Sequence, residues 1–338
     1  MLIVMKSGHS AENLKTVTDK ISGMGFRATV IPGDHSVAVG VTGNKNALDP
    51  ELFNSLPGVQ EAIRVTKSYK LASREFKTGS TQIKVGGATF GAGHFTVIAG
   101  PCAVESEEQT LRIARAVKAG GAHVLRGGAY KPRTSPYSFQ GMGVEGLKIL
   151  EKARKETGLP FVTEATDLQS LEFVGEYADI VQIGARNMQN FALLQEAGKL
   201  RKPIMLKRGL SATIEEWLLA AEYIMDQGNE QVILCERGVR SFDPQTRNML
   251  DVAAVPVLQA LSHLPVVVDP SHGTGKRDMI LPLSRASLAV GAQGVMMDVH
   301  DRPNEALCDG PQAIHPDEFK KLVTILKALA KTLEVTLN

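Results

Sequence analysis

The chain carries two rhythms of apolar and polar positions. In the first, Leu2-Ile3-Val4-Met5 is a short apolar run of strand type, and Ala11 to Met24 has helical spacing. Two further strands, Arg27–Ile31 and Val37–Val41, flank Pro32-Gly33-Asp34-His35-Ser36, which is a turn by composition. A short helix around Pro50–Leu56 and a strand at Val59–Val65 complete the order β-α-β-β-α-β. That order predicts a ferredoxin-like unit over residues 1–66, a fold that often packs in pairs through its sheet. The basic, polar segment Lys67 to Lys77 reads as a linker that ends by residue 79.

The second rhythm begins near residue 95. Strands are predicted at Thr96–Ala99, Val124–Arg126, Phe161–Glu164, Ile180–Ile183, Ile204–Lys207, Val232–Cys235, Val266–Val268 and Val295–Val299. Amphipathic helical stretches separate them, among them Glu107–Lys118, Ile214–Gln227 and Pro316–Leu333. The strands are near-continuous apolar runs, as expected where helices cover both faces of a parallel sheet. Eight such units in series predict an α/β fold, a (β/α)₈ TIM barrel over residues 80–338. An open doubly wound sheet is the alternative, and such sheets rarely reach eight parallel strands. Residues 80–91, STQIKVGGATFG, predict a small hairpin closing the barrel floor.

Composition changes this picture little. The 338 residues are 43% hydrophobic and 22% charged, which fits a folded globular chain and argues against disorder. A net charge of +2 gives no global field toward nucleic acid or a membrane surface. No apolar run approaches the roughly 18 residues of a membrane span, and Lys6 interrupts the opening MLIVM. Cys102, Cys235 and Cys308 are too few and scattered for a disulfide framework, so a reducing cytoplasm is expected.

Barrel active sites sit where the strands end. Read in order, the ends carry Cys102, then Arg126 with Lys131-Pro132-Arg133-Thr134 in its loop, then Glu164 and Arg186. Lys207-Arg208, Glu236-Arg237, Asp269 with His272, and Asp298 with His300 follow, and Cys308-Asp309-Gly310 occupies the last loop. A single arginine after a strand is usually a solvated loop residue. Eight polar strand ends on one rim are a site. Arg126, Lys131, Arg133, Arg186, Lys207 and Arg237 crowd six cations into a nearly neutral chain, which fits two phosphorylated substrates or one polyanion. Cys102, His272, Asp298 and Asp309 offer thiolate, imidazole and carboxylates, a mixed set suited to Mn²⁺, Fe²⁺, Co²⁺ or Zn²⁺. Taken alone, Cys102 reads equally well as a small buried hydrophobe. Cys235, without ligand company, reads as core, and His123 as a bottom-face residue. SHGTGKR lacks the spacing of a phosphate loop and is set aside.

Seven segments together resemble the 3-deoxy-D-arabino-heptulosonate-7-phosphate synthases. They are GPC (100–102), RGGAYKPRTSPYSFQG (126–141), QIGARNMQN (182–190), LKRG (206–209), CERG (235–238), DPSHGTGKR (269–277) and ALCDGPQ (306–312). Residues 1–66 look like the ferredoxin-like regulatory extension of one subgroup. The resemblance implies condensation of phosphoenolpyruvate with erythrose 4-phosphate, the first step of the shikimate pathway. It implies that Arg126, Lys131, Ala185, Arg186, Lys207 and Arg237 hold phosphoenolpyruvate, and that Lys131-Pro132-Arg133-Thr134 and Asp269 face the sugar phosphate. Cys102, His272, Asp298 and Asp309 would bind the metal, with Mn²⁺ the leading choice. Lys131 is the candidate proton donor and Glu164 the candidate for orienting water, unless Glu164 simply pairs with a neighbouring arginine.

The resemblance further implies a homo-oligomer, a dimer or tetramer, under feedback control by tyrosine or phenylalanine through residues 1–66. One departure stands out: the family usually has Glu where this chain has Asp298, one methylene shorter. Two rivals remain. The related 3-deoxy-D-manno-octulosonate-8-phosphate synthases typically have Asn where Pro132 stands and lack the N-terminal unit. A non-catalytic amino-acid sensor would account for Asp298 but not for the intact ring of cations.

Overall fold

Alternating strand and helix signals resolve into two compact units, Met1–Gly79 with Leu261–His263, and Ser80–Ala260 with Leu264–Asn338. The structure is a computed structural model that describes residues 1–33, 36–44, 48–64 and 68–338. Asp34 and His35 of the predicted turn, Val65 at the end of its strand and Lys67 at the start of the expected linker lie outside the described residues.

The first unit contains β1 (Leu2–Met5), α1 (Ala11–Gly23), β2 (Arg27–Ile31), β3 (Ala38–Thr42), α2 (Glu51–Asn54) and β4 (Val59–Ile63). Its antiparallel sheet has the order β2-β3-β1-β4, the ferredoxin-like arrangement. Ser10 starts α1 by accepting the Asn13 N–H at 3.1 Å, and Val17 and Ile21 turn its apolar side inward. They pack with Ile3, Met5, Val39, Val41 and Phe53. Gly40 has no room for a side chain, because the Phe76 ring lies against it. Tyr69, Leu71, Ala72 and Phe76 are buried.

The second unit opens with a hairpin, β5 (Ile83–Val85) and β6 (Ala88–Phe90). Eight parallel strands follow: β7 (His94–Gly100), β8 (Val124–Arg126), β9 (Phe161–Ala165), β10 (Ile180–Ile183), β11 (Ile204–Lys207), β12 (Val232–Glu236), β13 (Val266–Val268) and β14 (Gly294–Asp298). Each pairs with the next, and β14 pairs with β7 from Gly294↔Thr96 to Asp298↔Gly100, which closes the barrel. Around it run α3 (Glu107–Gly120), α4 (Val144–Thr157), α5 (Leu168–Tyr177), α6 (Phe191–Lys199), α7 (Ile214–Met225), α8 (Ala254–Leu261), α9 (Pro270–Thr274), α10 (Ile280–Ala289) and α11 (Pro316–Thr332). Ser106, Asp167 and Thr213 cap α3, α5 and α7 at the strand-to-helix turns.

Inward-facing Ile98, Val124, Val162, Ile180, Met205, Ile233, Cys235, Val267 and Met296 fill the barrel, and Ile83, Val85, Ala88 and Phe90 of the hairpin join them. Thr96 near the start of β7 donates to the Thr89 carbonyl at 2.9 Å, so the hairpin plugs the end where strands enter. The opposite end is left for chemistry. A two-residue strand, β15 (Thr336–Leu337), adds to β7 and was not anticipated, since two residues carry no period. Among the described residues no helix is long and apolar enough to cross a membrane.

Candidate active site

A polar cleft of 570 Å³ lies over the carboxyl-terminal ends of the strands. Arg126, Lys131, Pro132, Arg133, Thr134, Glu164, Ala185, Arg186, Lys207 and Arg237 all line it, together with His272 and Asp309. Cys102, Asp269 and Asp298 are buried and do not line it. Most of the ring expected from the strand ends comes together at the cleft or just behind it, but Arg208, Glu236 and His300 are taken up elsewhere. Arg208 is taken up by Glu236 and Asp251, each at 2.9 Å, so that arginine and Glu236 brace β11 against β12. His300 faces Gln109 at 3.2 Å and Glu105 at 3.5 Å and stays out of the cleft.

The cations sit there because the strand register sends them there. Arg126 ends β8 and Lys207 ends β11, both buried. Nη1 of Arg126 pairs with Asp298, and its Nη2 donates to the Cys102 carbonyl at 3.2 Å. Lys207 Nζ lies 2.5 Å from Asp269. Arg237 differs from both. It is only 8% exposed, and its Nη1 is buried with no hydrogen-bond partner among the described residues. Burial lowers its pKa, since the charged form is poorly solvated there. A guanidinium in that condition is built for an anion.

Cys102, His272, Asp298 and Asp309 place one donor atom each within 4.8 Å of one another. Cys102 lies just beyond β7, Asp298 ends β14, and His272 lies in α9. Asp269 caps α9 by accepting the His272 N–H at 3.0 Å, and its other oxygen accepts from His272 Nδ1 at 2.8 Å. That contact puts the ring proton on Nδ1 and turns Nε2 toward Cys102 Sγ (4.0 Å), Asp298 Oδ2 (3.7 Å) and Asp309 Oδ2 (3.9 Å). A carboxylate behind a histidine is the usual way to orient a metal-binding imidazole. Asp309 holds a left-handed backbone, φ 52°, which a non-glycine residue adopts at a cost. The donor set fits a divalent transition ion.

Electrostatics support the arrangement. Burial by itself would raise the Asp269 carboxyl, yet His272 and Lys207 beside it hold it well below the ordinary carboxylate range. The Cys102 thiol is also held well below its ordinary value, first by a hydrogen bond with Cys308 and then, against burial, by Lys131 and Arg126. Lys131 Nζ is 3.2 Å from Cys102 Sγ and 2.9 Å from the Cys102 carbonyl. Burial, the largest influence, works to lower the Lys131 pKa, but Cys102, Cys308 and Glu164 together outweigh it and raise it, so the ammonium keeps its proton.

Glu164 accepts from Gln182 Nε2 at 2.9 Å, and no ion pair among the described residues joins it to an arginine. A Cβ at Gly184 would displace the Glu164 carboxylate from its present position beside Gln182. Residues that pattern reading missed also line the cleft: Gln182, Arg240, Arg247 and Asn248; Cys308, placed in the last loop but given no role, lines it too. Arg247 reaches Asp309 at 3.1 Å from a long loop with no periodicity to advertise it. Gln182 alternates inward along β10, which a strict period-two reading would have exposed. Cys235 belongs to the barrel filling and is pushed up to about 12 by burial. His123 accepts the Val97 N–H at 2.9 Å at the start of β8.

Comparison with known proteins agrees with this geometry. Residues 75–335 match the DAHP synthetase I family, and residues 1–67 match the DAHP synthase ferredoxin-like domain. The chain is 48% identical over 338 residues to a phospho-2-dehydro-3-deoxyheptonate aldolase of Thermotoga maritima, covering all of both chains. A 2-dehydro-3-deoxyphosphooctonate aldolase of Syntrophotalea carbinolica is 35% identical over 260 residues, 71% of this chain and 93% of that one. The crystal structure of the Thermotoga maritima aldolase (DAHP synthase) matches with a TM-score of 0.80 at 47% identity, over 100% of this chain and 99% of that one. A truncated form of the Thermotoga maritima synthase matches with a TM-score of 0.75 at 50% identity, over 79% of this chain and 98% of that one.

Proposed function

Because this chain belongs to the DAHP synthetase I family, we propose that it condenses phosphoenolpyruvate with D-erythrose 4-phosphate. The products are 3-deoxy-D-arabino-heptulosonate 7-phosphate and inorganic phosphate, in the first step of the shikimate pathway. The observation that carries this reading is the buried, partnerless Nη1 of Arg237 in a cleft that also holds Arg126, Lys131, Arg186 and Lys207. The carboxylate and phosphate of phosphoenolpyruvate match that concentration of charge, with Ala185 beside Arg186 at the cleft wall. Pro132, Arg133 and Thr134 then face the sugar phosphate, while Asp269, expected there, is buried behind the cleft wall, where it holds Lys207 and His272. Pro132 fixes the backbone between two cations and favours a short pocket. That feature and the N-terminal unit favour the four-carbon sugar over arabinose 5-phosphate.

The chemistry divides among this chain's own residues. Cations fixed around both anions orient C3 of phosphoenolpyruvate toward the sugar aldehyde, a positioning effect that can supply much of the rate. A divalent ion, Mn²⁺ or one of Fe²⁺, Co²⁺ and Zn²⁺, held by Cys102, His272, Asp298 and Asp309 supplies Lewis-acid polarisation of a carbonyl oxygen when bound. Lys131, protonated beside the thiolate, donates its proton to the forming alkoxide. Glu164, held by Gln182, orients the water that adds at C2 before phosphate leaves.

Residues 1–66 are proposed as the regulatory domain and 67–79 as its connection to the barrel, with tyrosine or phenylalanine as effector. Val30, Leu52 and Ile63 expose apolar surface on this unit, which suits pairing across subunits in a dimer or tetramer. The three free cysteines suit a reducing cytoplasm. The reading is tested by mixing phosphoenolpyruvate and erythrose 4-phosphate with the protein and following phosphate release. Release should stop on chelation and resume on adding Mn²⁺ or a related ion. No release from the two substrates at any metal loading would refute the proposal.

A further inference from the structure

Cys308 is a second sulfur at the donor cluster, and the four-residue ligand set leaves it without a role. It is 3% exposed. Its Sγ lies 3.3 Å from Cys102 Sγ and 3.6 Å from Asp309 Oδ2, while Cys102 Sγ lies 3.3 Å from the same Asp309 oxygen. The three atoms form a compact triangle. In a tetrahedral site with metal–sulfur bonds of about 2.3 Å, donor atoms stand roughly 3.5–3.8 Å apart along each edge. The triangle is therefore close to one face of such a tetrahedron. The left-handed backbone at Asp309 is what allows two consecutive side chains, Cys308 and Asp309, to meet the same sulfur.

Asp298 is the weaker donor of the group. One oxygen is engaged by Arg126 and the other accepts from Gln312 Nε2 at 2.5 Å, and the carboxylate is fully buried. To ligate an ion it must give up or share those contacts, and its side chain has little length to spare. Cys308 has one cation from outside the cluster, Arg133, whose Nη1 reaches its sulfur, and its other contacts are to Cys102 and Asp309 within the cluster.

We infer that Cys308 supplies a second thiolate to the metal, with Cys102, His272 and Asp309, and that the site selects a thiophilic ion over Mn²⁺. The inference rests on the reading of this cluster as a metal site. Two thiolates favour Zn²⁺, Co²⁺ or Fe²⁺, whereas Mn²⁺ prefers oxygen donors. Asp298 is then left to hold Arg126 in place.

X-ray absorption at the zinc edge, on the full chain loaded with one equivalent of Zn²⁺, counts sulfur neighbours without any substitution. Two sulfurs at about 2.3 Å are expected. Loading with Co²⁺ gives a parallel readout: the sulfur-to-cobalt band should fall by about half in Cys308→Ser, as each thiolate contributes its own charge-transfer intensity, and stay unchanged in Cys235→Ser. Competition should show Cys308→Ser losing preference for Zn²⁺ over Mn²⁺ by at least the roughly tenfold that loss of even a supporting group costs a metal site. One sulfur neighbour, abolished by Cys102→Ser and untouched by Cys308→Ser, overturns the inference and leaves the metal-site reading standing. Failure to retain any stoichiometric ion overturns both.

Discussion

Arg237 keeps a guanidinium nitrogen buried without a partner, and that condition has opposite consequences for stability and for binding. Removing a buried cation that has an unpartnered nitrogen among the described residues relieves a desolvation cost, so Arg237→Met should leave the thermal midpoint unchanged or raise it. The same change removes a charge-assisted contact to substrate, and kcat/KM for phosphoenolpyruvate should fall by about 10²-fold. Thermal melts and initial rates on one preparation decide both. A destabilised variant with normal kinetics would make Arg237 structural.

Asp298 gives a second residue-scale test. Lengthening it by one methylene in Asp298→Glu extends the carboxylate toward His272 Nε2, now 3.7 Å away, and restores the acid usual in the family. The variant should remain active and gain affinity for Mn²⁺ relative to the parent, because the longer carboxylate can add the oxygen donor that Asp298, held by Arg126 and Gln312, does not supply. A folded but inactive variant would mean that the site has been rebuilt around the shorter side chain. At this scale the sequence disclosed what sits at strand ends, such as Arg126, Lys207 and Asp269. Arg247 and the approach of Cys308 to the Cys102 sulfur stayed hidden, because a long loop and a left-handed turn decide where they point, and neither leaves a periodic trace.

The junction of β7 and β8 carries a pH-sensitive contact. His123 accepts the Val97 N–H through Nδ1, so it must be neutral there, and burial, then Lys327 and Lys118, lower its pKa to about 4. The unfolded chain takes up this proton below an ordinary pKa near 6.5, while the folded chain refuses it until about 4. Stability from this group is thus complete above pH 6.5 and declines as pH falls toward 4, by about 2 kcal/mol at pH 5. His123→Asn retains an acceptor for the Val97 N–H but not the titration. Denaturant unfolding at pH 7.5 and pH 5 should show a larger loss for the parent than for the variant, and parallel losses would contradict the assignment.

Elements were the most legible level. The eight barrel strands and the plugging hairpin follow from runs such as Val266–Val268 and Ile204–Lys207, which have no polar break. β15 escaped because a two-residue strand depends wholly on what it pairs with.

At the scale of the molecule, the two compact units predict separable activity and control. Residues 68–79 include buried Tyr69, Leu71 and Phe76 and group with the first unit, so a truncation should remove residues 1–79 together. The remaining barrel should catalyse the reaction and ignore tyrosine and phenylalanine at millimolar levels that inhibit the intact chain. Equal inhibition of both would move the regulatory site into the barrel. On the proposed regulatory reading, an effector bound to residues 1–66 would act through a coupling between states, and truncation would remove that coupling without altering the chemistry.

The central claim is that one cleft, cationic on one side and metal-binding on the other, joins phosphoenolpyruvate to a four-carbon sugar phosphate. Its most direct test supplies the metal-loaded full chain with phosphoenolpyruvate and an equimolar mixture of erythrose 4-phosphate and arabinose 5-phosphate, then reads product masses. The account predicts the seven-carbon heptulosonate phosphate in large excess. A predominant eight-carbon product would contradict it and assign the cleft to the sister chemistry.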